Sequence, residues 1–166
     1  EMLKRAVRDL QQGKEPDLSQ PLEVVSEINL RTPALLPESY CPDIGERLTL
    51  YKRLANSNGL DELQELKEEM IDRFGEPPLQ TEALIETHKL RIEAKPLGII
   101  KIDATEKQIT LQFEANPPID PMKIILLVQN DRQFKLGGQD KLIMSATMPN
   151  LKDRAQQIRN IFKKLS

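Results

Sequence analysis

Apolar positions along this chain change their spacing several times, and each change marks a new element. Leu3, Ala6, Val7 and Leu10 share one helical face between Met2 and Gln12, and Gly13 is a fitting C-terminal stop. Lys14 to Gln20, with Pro16 inside it, reads as an exposed connector. From Leu22 the period drops to two: Leu22, Val24, Ile28 and Leu30 alternate with Glu23, Val25, Glu27 and Asn29, as a half-buried strand requires. Pro33, Pro37 and Pro42 predict an irregular surface loop over Thr32 to Pro42. Asp43 and Glu46 have capping-box spacing and open a helix whose apolar face would be Ile44, Leu48, Tyr51 and Leu54. Asn56 to Gly59 breaks that helix. The next runs from about Leu60 to Phe74 and ends at Gly75 and Pro77-Pro78; another runs from Leu79 to about Ala94, where Pro96 blocks clean continuation.

Alternation then returns. Ile100 and Ile102, followed by Ile109, Leu111 and Phe113, flank Thr105 to Lys107 as the strands of a hairpin. Asp120 to Asn130 predicts a helix with Asp120 as cap and Pro121 in the first turn. Phe134 to Leu136 and Leu142 to Met144 flank Gly137-Gly138 as a second hairpin, and Leu151, Ala155, Ile158, Phe162 and Leu165 mark a closing amphipathic helix. The expected fold class is α+β: a mostly antiparallel sheet packed with several helices, one compact domain over residues 21–166 after a linker helix and connector over residues 1–20. Because Met2 leads directly into helical spacing, the chain reads as a piece of a longer protein.

Composition narrows the function. With 24 Lys and Arg against 26 Asp and Glu, the net charge of -2 argues against a nucleic-acid binder driven by bulk charge. Aromatics make up 4% and Trp is absent, which leaves little for base-stacking platforms. One Cys excludes an internal disulfide, and one His beside it makes an all-protein zinc site implausible. No apolar run approaches the ~20 residues of a membrane span, and no signal-peptide pattern opens the chain. A cytoplasmic domain without a cofactor of its own is expected.

Catalytic signatures are missing. There is no G-x-x-x-x-G-K-[ST] loop, no G-x-G-x-x-G and no G-x-S-x-G. Gly137-Gly138 fits a turn better than a phosphate cradle. His88 lies between Leu84 and Ile92 on the flank of an apolar face, where a partnered, half-buried imidazole is the simpler reading than a base or switch. Cys41 stands in the proline-rich loop without a local positive environment to make it a nucleophile. An enzyme reading has little support in these residues, and a non-enzymatic domain is expected.

Charge is unevenly distributed. Asp61, Glu62, Glu65, Glu68, Glu69, Asp72 and Glu76 stand against Lys67 and Arg73 on one helix. On the last helix Lys152, Arg154, Arg159, Lys163 and Lys164 stand against Asp153. On a helical wheel Leu63, Leu66, Met70 and Phe74 occupy one side of the acidic helix; Glu62, Glu65, Glu69, Asp72 and Glu76 occupy the other, with Arg73 at the edge. Glu69 and Arg73 can pair at i,i+4, and Asp72 has no such partner. The stripe is either a solvated face or a dock for a basic patch. On the basic helix, Lys163 and Lys164 complement the helix dipole.

The run Arg47-Leu48-Thr49-Leu50-Tyr51-Lys52-Arg53-Leu54-Ala55, followed by Glu69-Met70-Ile71-Asp72-Arg73-Phe74-Gly75, resembles the C-terminal domain of the bacterial transcription-repair coupling factor family (Mfd). Pro33-Ala34-Leu35-Leu36-Pro37 with Tyr40 and Asp43, and Leu97-Gly98-Ile99, extend the resemblance, which is strong from about Glu27 to Phe113. Met2 to Pro16 resembles the helix and connector joining that domain to the family's motor. The resemblance implies a parent that is an ATP-driven DNA translocase, using ATP and Mg in its motor, which removes stalled RNA polymerase and recruits the excision-repair protein UvrA. It implies a regulatory domain that masks the UvrA-binding surface of a UvrB-like N-terminal module. The family's docking motif falls here on Glu69, Asp72 and Arg73, with Glu65 and Glu76 as supporting charge. Glu69 and Asp72 are expected to pair with basic residues of that module, and Arg73 to bridge or meet a carboxylate. Arg47, Lys52 and Arg53 read as structural or intradomain pairing residues, and Tyr51 as core. Pro96 departs from the family, which continues the helix at that position. A module for an external partner and an accessory DNA-contacting domain are the alternatives.

Overall fold

The computed structural model of the protein describes residues 26–166. The helix expected over Met2 to Gln12, the connector after it and the first part of the strand expected from Leu22 lie outside the described residues. Among the described residues the order is β1 (Glu27–Asn29), α1 (Ile44–Asn56), α2 (Leu60–Phe74), α3 (Leu79–Ala94), a 3₁₀ turn (Lys95–Leu97), β2 (Ile99–Ala104), β3 (Gln108–Phe113), α4 (Pro121–Asn130), β4 (Phe134–Leu136), β5 (Lys141–Ser145) and α5 (Leu151–Leu165). The strands form one sheet in the order β1-β2-β3-β5-β4. β1 runs parallel to β2 and the other pairings are antiparallel. The fold is α+β, as the alternating patterns predict.

The strands bury one face. Ile102, Ala104, Ile109, Leu111, Leu142, Met144 and Phe134 point into a core closed by α3 and by Leu151, Ala155, Ile158, Ile161, Phe162 and Leu165 of α5. The alternation expected through Ile100 is displaced by a bulge between Ile99 and Lys101, so that Ile99 and Ile102 are buried and Ile100 is half-buried. α4 contributes no fully buried residue, although Ile124, Leu127 and Val128 lean on this core; Met122, Ile125 and Leu126 face outward.

A second core joins α1, α2 and the proline-rich loop to the other side of α3: Leu36, Cys41, Leu50, Leu54, Leu63, Leu66, Met70, Leu84 and Ile85. α3 is apolar on opposing faces because it lines both cores, with Ala83, Leu90 and Ala94 toward the sheet and Leu84 and Ile85 toward α1 and α2. Pro96 ends its regular winding, as expected, in the 3₁₀ turn. Gly98 then takes φ 71°, and a Cβ there would lie 2.9 Å from the Pro117 backbone. Both conformation and contact require glycine.

β1 is held by its ends. Ser26 donates to the Ile99 carbonyl, and buried Arg154 of α5 donates to the Leu30 carbonyl at 3.1 Å and the Met148 carbonyl at 3.0 Å. Arg31 adopts φ 58°, an uncommon conformation for a residue with a side chain. Its backbone N–H donates to the Asn29 side chain, and its guanidinium grips both Asp103 oxygens, at 2.9 and 2.7 Å. These contacts hold the turn in place.

Candidate docking site

The acidic helix α2 forms as the wheel predicts as far as Phe74; Glu76, expected on the same stripe, lies beyond the helix because Gly75 turns the chain out of it. Leu63, Leu66 and Met70 are buried, and Phe74 is half-buried beside Tyr40 at a ring separation of 5.5 Å. Gly75, at φ 90°, ends the helix, and its carbonyl accepts from the Tyr40 hydroxyl at 2.8 Å. The Arg73 guanidinium lies 4.8 Å from the centre of the Phe74 ring. This aromatic block fixes the end of α2 that carries Asp72 and Arg73.

α1 is rotated from the position its apolar spacing suggested. Ile44 and Leu48 are exposed, at 65% and 57%, whereas Leu50 and Leu54 are buried. Of the residues expected on the apolar side, Leu54 is buried and Tyr51 packs against the core, whereas Ile44 and Leu48 are replaced there by Leu50. The physical reason is that α1 must cover α2 and α3 together, and a helix between two neighbours buries the arc facing both. Tyr51 is half-buried, and its hydroxyl accepts from the Leu36 backbone N–H at 2.7 Å.

The capping box also needs correction. Asp43 caps α1 by accepting from the Gly45 N–H, but Glu46 does not close the box. Its carboxylate instead accepts from Arg73 of α2 at 2.6 Å. Ser57, Asn58 and Gly59 connect α1 to α2, so the two helices run antiparallel and their charges meet in reverse order. Glu46 meets Arg73, and Arg53 grips both oxygens of Glu69. Arg73 also approaches Glu69 along α2 at 3.7 Å. The result is a chain of alternating charge, Glu46–Arg73–Glu69–Arg53, across the helix pair. Its bond to Arg53 holds the Glu69 carboxyl below the ordinary carboxylate range, and Glu69 raises Arg53 in turn.

The residues expected to dock therefore separate into two groups. Glu69 and Arg73 have partners on α1, which the wheel of one helix could not show. Glu65, Asp72 and Glu76 are exposed and make no salt bridge among the described residues. Arg53 has the intradomain role expected of it. Arg47 is structural, donating to the Cys41 and Pro42 carbonyls at 2.8 and 3.2 Å, and Lys52 is exposed. Sequence reasoning missed Glu46 as the partner of Arg73. The available signal was the order of charges, acid then base on each of two helices joined by a short turn.

Other candidates have structural surroundings. His88 is half-buried, its Nδ1 lies 3.3 Å from Arg91 Nε, and burial followed by the Arg91 charge depresses its pKa from 6.5 to about 4. Cys41 is buried, and burial pushes its thiol up. Gly137-Gly138 turns between β4 and β5. On α5, Arg154 points inward to backbone carbonyls and Arg159 pairs with Glu86 at 2.6 Å and Glu93 at 3.3 Å. Lys164 lies 5.3 Å from the centre of the Phe134 ring. The basic excess of this helix is thus partly engaged inside the domain. No group of His, Cys, Asp and Glu suited to a metal, and no helix long and apolar enough to cross a membrane, occurs among the described residues.

Comparison with known proteins gives a consistent family. The family model described as the TRCF domain matches residues 30–124. The chain is 35% identical over 166 residues to the transcription-repair-coupling factor of Escherichia coli (strain K12), covering 99% of this chain and 14% of that protein. It is 40% identical over 131 residues to that of Haemophilus influenzae, covering 79% of this chain and 11% of the relative. A crystal structure of the C-terminal domain of transcription-repair coupling factor superposes with a TM-score of 0.66 at 22% identity, over 86% of this chain and 94% of that one. This last likeness shows the fold.

Proposed function

The chain belongs to the TRCF domain family, and on that premise we propose that it is the C-terminal regulatory domain of a transcription-repair coupling factor, a restraint and not a motor. Residues 1–20 would be the linker helix and connector from a preceding motor domain, and residues 21–166 the regulatory domain. ATP and Mg belong to the parent's motor, which would meet RNA polymerase and DNA. This domain docks on the UvrB-like N-terminal module of the same protein and covers the surface UvrA uses.

The observation that carries the reading is the outward face of α2, where Glu65 and Asp72 stand exposed on a helix fixed from behind by Leu63, Leu66 and Met70, with Glu76 exposed just beyond the Gly75 end. A rigid acidic stripe suits a basic counterpart, because preset charges give register and speed of encounter. Exposed pairs contribute ~0.2–1 kcal/mol each, so several form a clasp that can open. Reversing charge at Glu69 and Asp72 in the intact parent should raise UvrA binding and basal ATP hydrolysis. If both stay at the resting level, the proposal is wrong.

A further inference from the structure

α4 is apolar on both of its sides. Ile124, Leu127 and Val128 lean on the sheet core, yet no residue of the helix is fully buried. Met122, Ile125 and Leu126 form a second stripe on the opposite side, at i, i+3 and i+4, and remain 51%, 41% and 48% exposed. A helix apolar on every side is ordinarily enclosed. Three adjoining side chains of this kind, left in water on one short helix, mark a surface that another body covers.

Charge around the stripe selects that body. Lys123 of α4 donates to the Ser166 carbonyl, which sets the last turn of α5, with Lys163 and Lys164, beside α4. Lys164 stands over the Phe134 ring of β4, and Arg132 is exposed two residues past the end of α4. The carboxylates that flank the helix are engaged as caps, Asp120 on the Met122 N–H and Asp131 on the Gln133 N–H. This face is therefore positive in a chain whose net charge is -2. Residues 2–12 carry apolar spacing of the same kind, but Lys4, Arg5 and Arg8 against Asp9 give that segment the same sign. A second copy packed about a two-fold axis would bring these bases against their own kind. We propose that the outward face of α4 is a docking surface for an acidic amphipathic helix of a partner protein. Met122, Ile125 and Leu126 meet its apolar stripe, and Lys123, Arg132, Lys163 and Lys164 meet its flanking carboxylates. The assignment makes no use of α2.

Because the chain has no Trp, a Trp placed in an added peptide reports binding by its own emission. The probe is a helix of about 18 residues, long enough to wind in water, with Leu at i, i+3, i+4 and i+7 and Glu on its flanks. Its twin carries Lys in place of Glu. The Glu probe should bind the chain about 10-fold more tightly than the Lys probe, as a few exposed charge pairs allow. Met122→Ser combined with Ile125→Ser and Leu126→Ser should weaken the Glu probe about 10-fold or more. Lys163→Gln with Lys164→Gln should weaken it about 3-fold, a difference that high salt erases. Matched thermal unfolding midpoints verify that these surface variants are folded. Equal affinity for the two probes, or a Glu probe indifferent to the serine variant, overturns the proposal. Four other results overturn it by naming a different occupant. A stripe-dependent dimer in sedimentation names a second copy, and stripe-dependent binding to phosphatidylserine vesicles tighter than to the Glu probe names a membrane. A several-fold gain in probe affinity from Leu3→Ser with Leu10→Ser names the N-terminal segment. Slower amide exchange in α4 of the intact parent than in the 166-residue chain names another domain of the same protein.

Discussion

Among the ion pairs that tie helices together in the described residues, the α1–α2 set and the α3–α5 set have different surroundings. Between α1 and α2, the side chains of Arg53, Glu69, Arg73 and Glu46 remain 39–45% exposed. Between α3 and α5, Arg159 and its partners Glu86 and Glu93 are 19–27% exposed; Arg154 of the same helix, 8% exposed, donates to backbone carbonyls and to no carboxylate among the described residues. Water and salt screen the outer set, so rearranging it costs little. The inner set is desolvated, and loss of one partner strands the others. The outer set can exchange partners at little cost; the inner set holds the layers together.

The largest effect should come from Arg154→Met, which leaves the carbonyls of Leu30, Met148 and Pro149 without this donor. A loss of about 3 kcal/mol in urea unfolding is expected, and a loss below about 1 kcal/mol would show that these carbonyls do not depend on Arg154. His88 gives the next test. Its folded pKa, about 4, lies below the ordinary 6.5, so the unfolded chain binds the extra proton first. Stability associated with neutral His88 is complete above pH 6.5 and falls as pH drops toward about 4. Pairing pH melts of the protein with those of His88→Gln should show about 2–3 kcal/mol of that slope disappearing.

Arg159→Ala should cost about 1–2 kcal/mol because Glu86 and Glu93 then face each other without their shared cation. That cost should persist at high salt. The smallest effect belongs to Arg53→Gln, below about 1 kcal/mol, and 1 M salt should erase it. Equal salt sensitivity for Arg159→Ala and Arg53→Gln would abolish the distinction between the two sets.

Much of this arrangement was legible in the chain. The α2 stripe, the Asp120 cap, both hairpins and the closing helix follow from spacing and cap chemistry that act over a few residues. The rotation of α1 was not, because it depends on two neighbours packed against one helix. Leu54 is buried as its spacing suggested, but Ile44 and Leu48 gave way to Leu50. The partners of Glu69 and Arg73 were hidden for the same reason: a wheel describes one helix, and their counterions lie on another. The partners of Arg159 were hidden in the same way, since Glu86 and Glu93 lie on α3 and reach it only through tertiary packing.

The pairing of β1 with β2 has a consequence for the order of assembly. Glu27 meets Lys101 and Asn29 meets Asp103, with α1, α2 and α3 all lying between them in the chain. During vectorial synthesis β1 leaves the ribosome long before its sheet partner exists, and Arg154, which holds the Leu30 carbonyl, emerges later still. The helical half can gather its own core in the meantime, while closing the long loop to β2 waits for the sheet. Nascent chains stalled before Ile99 should therefore protect α2 while leaving Glu27 to Asn29 open to protease.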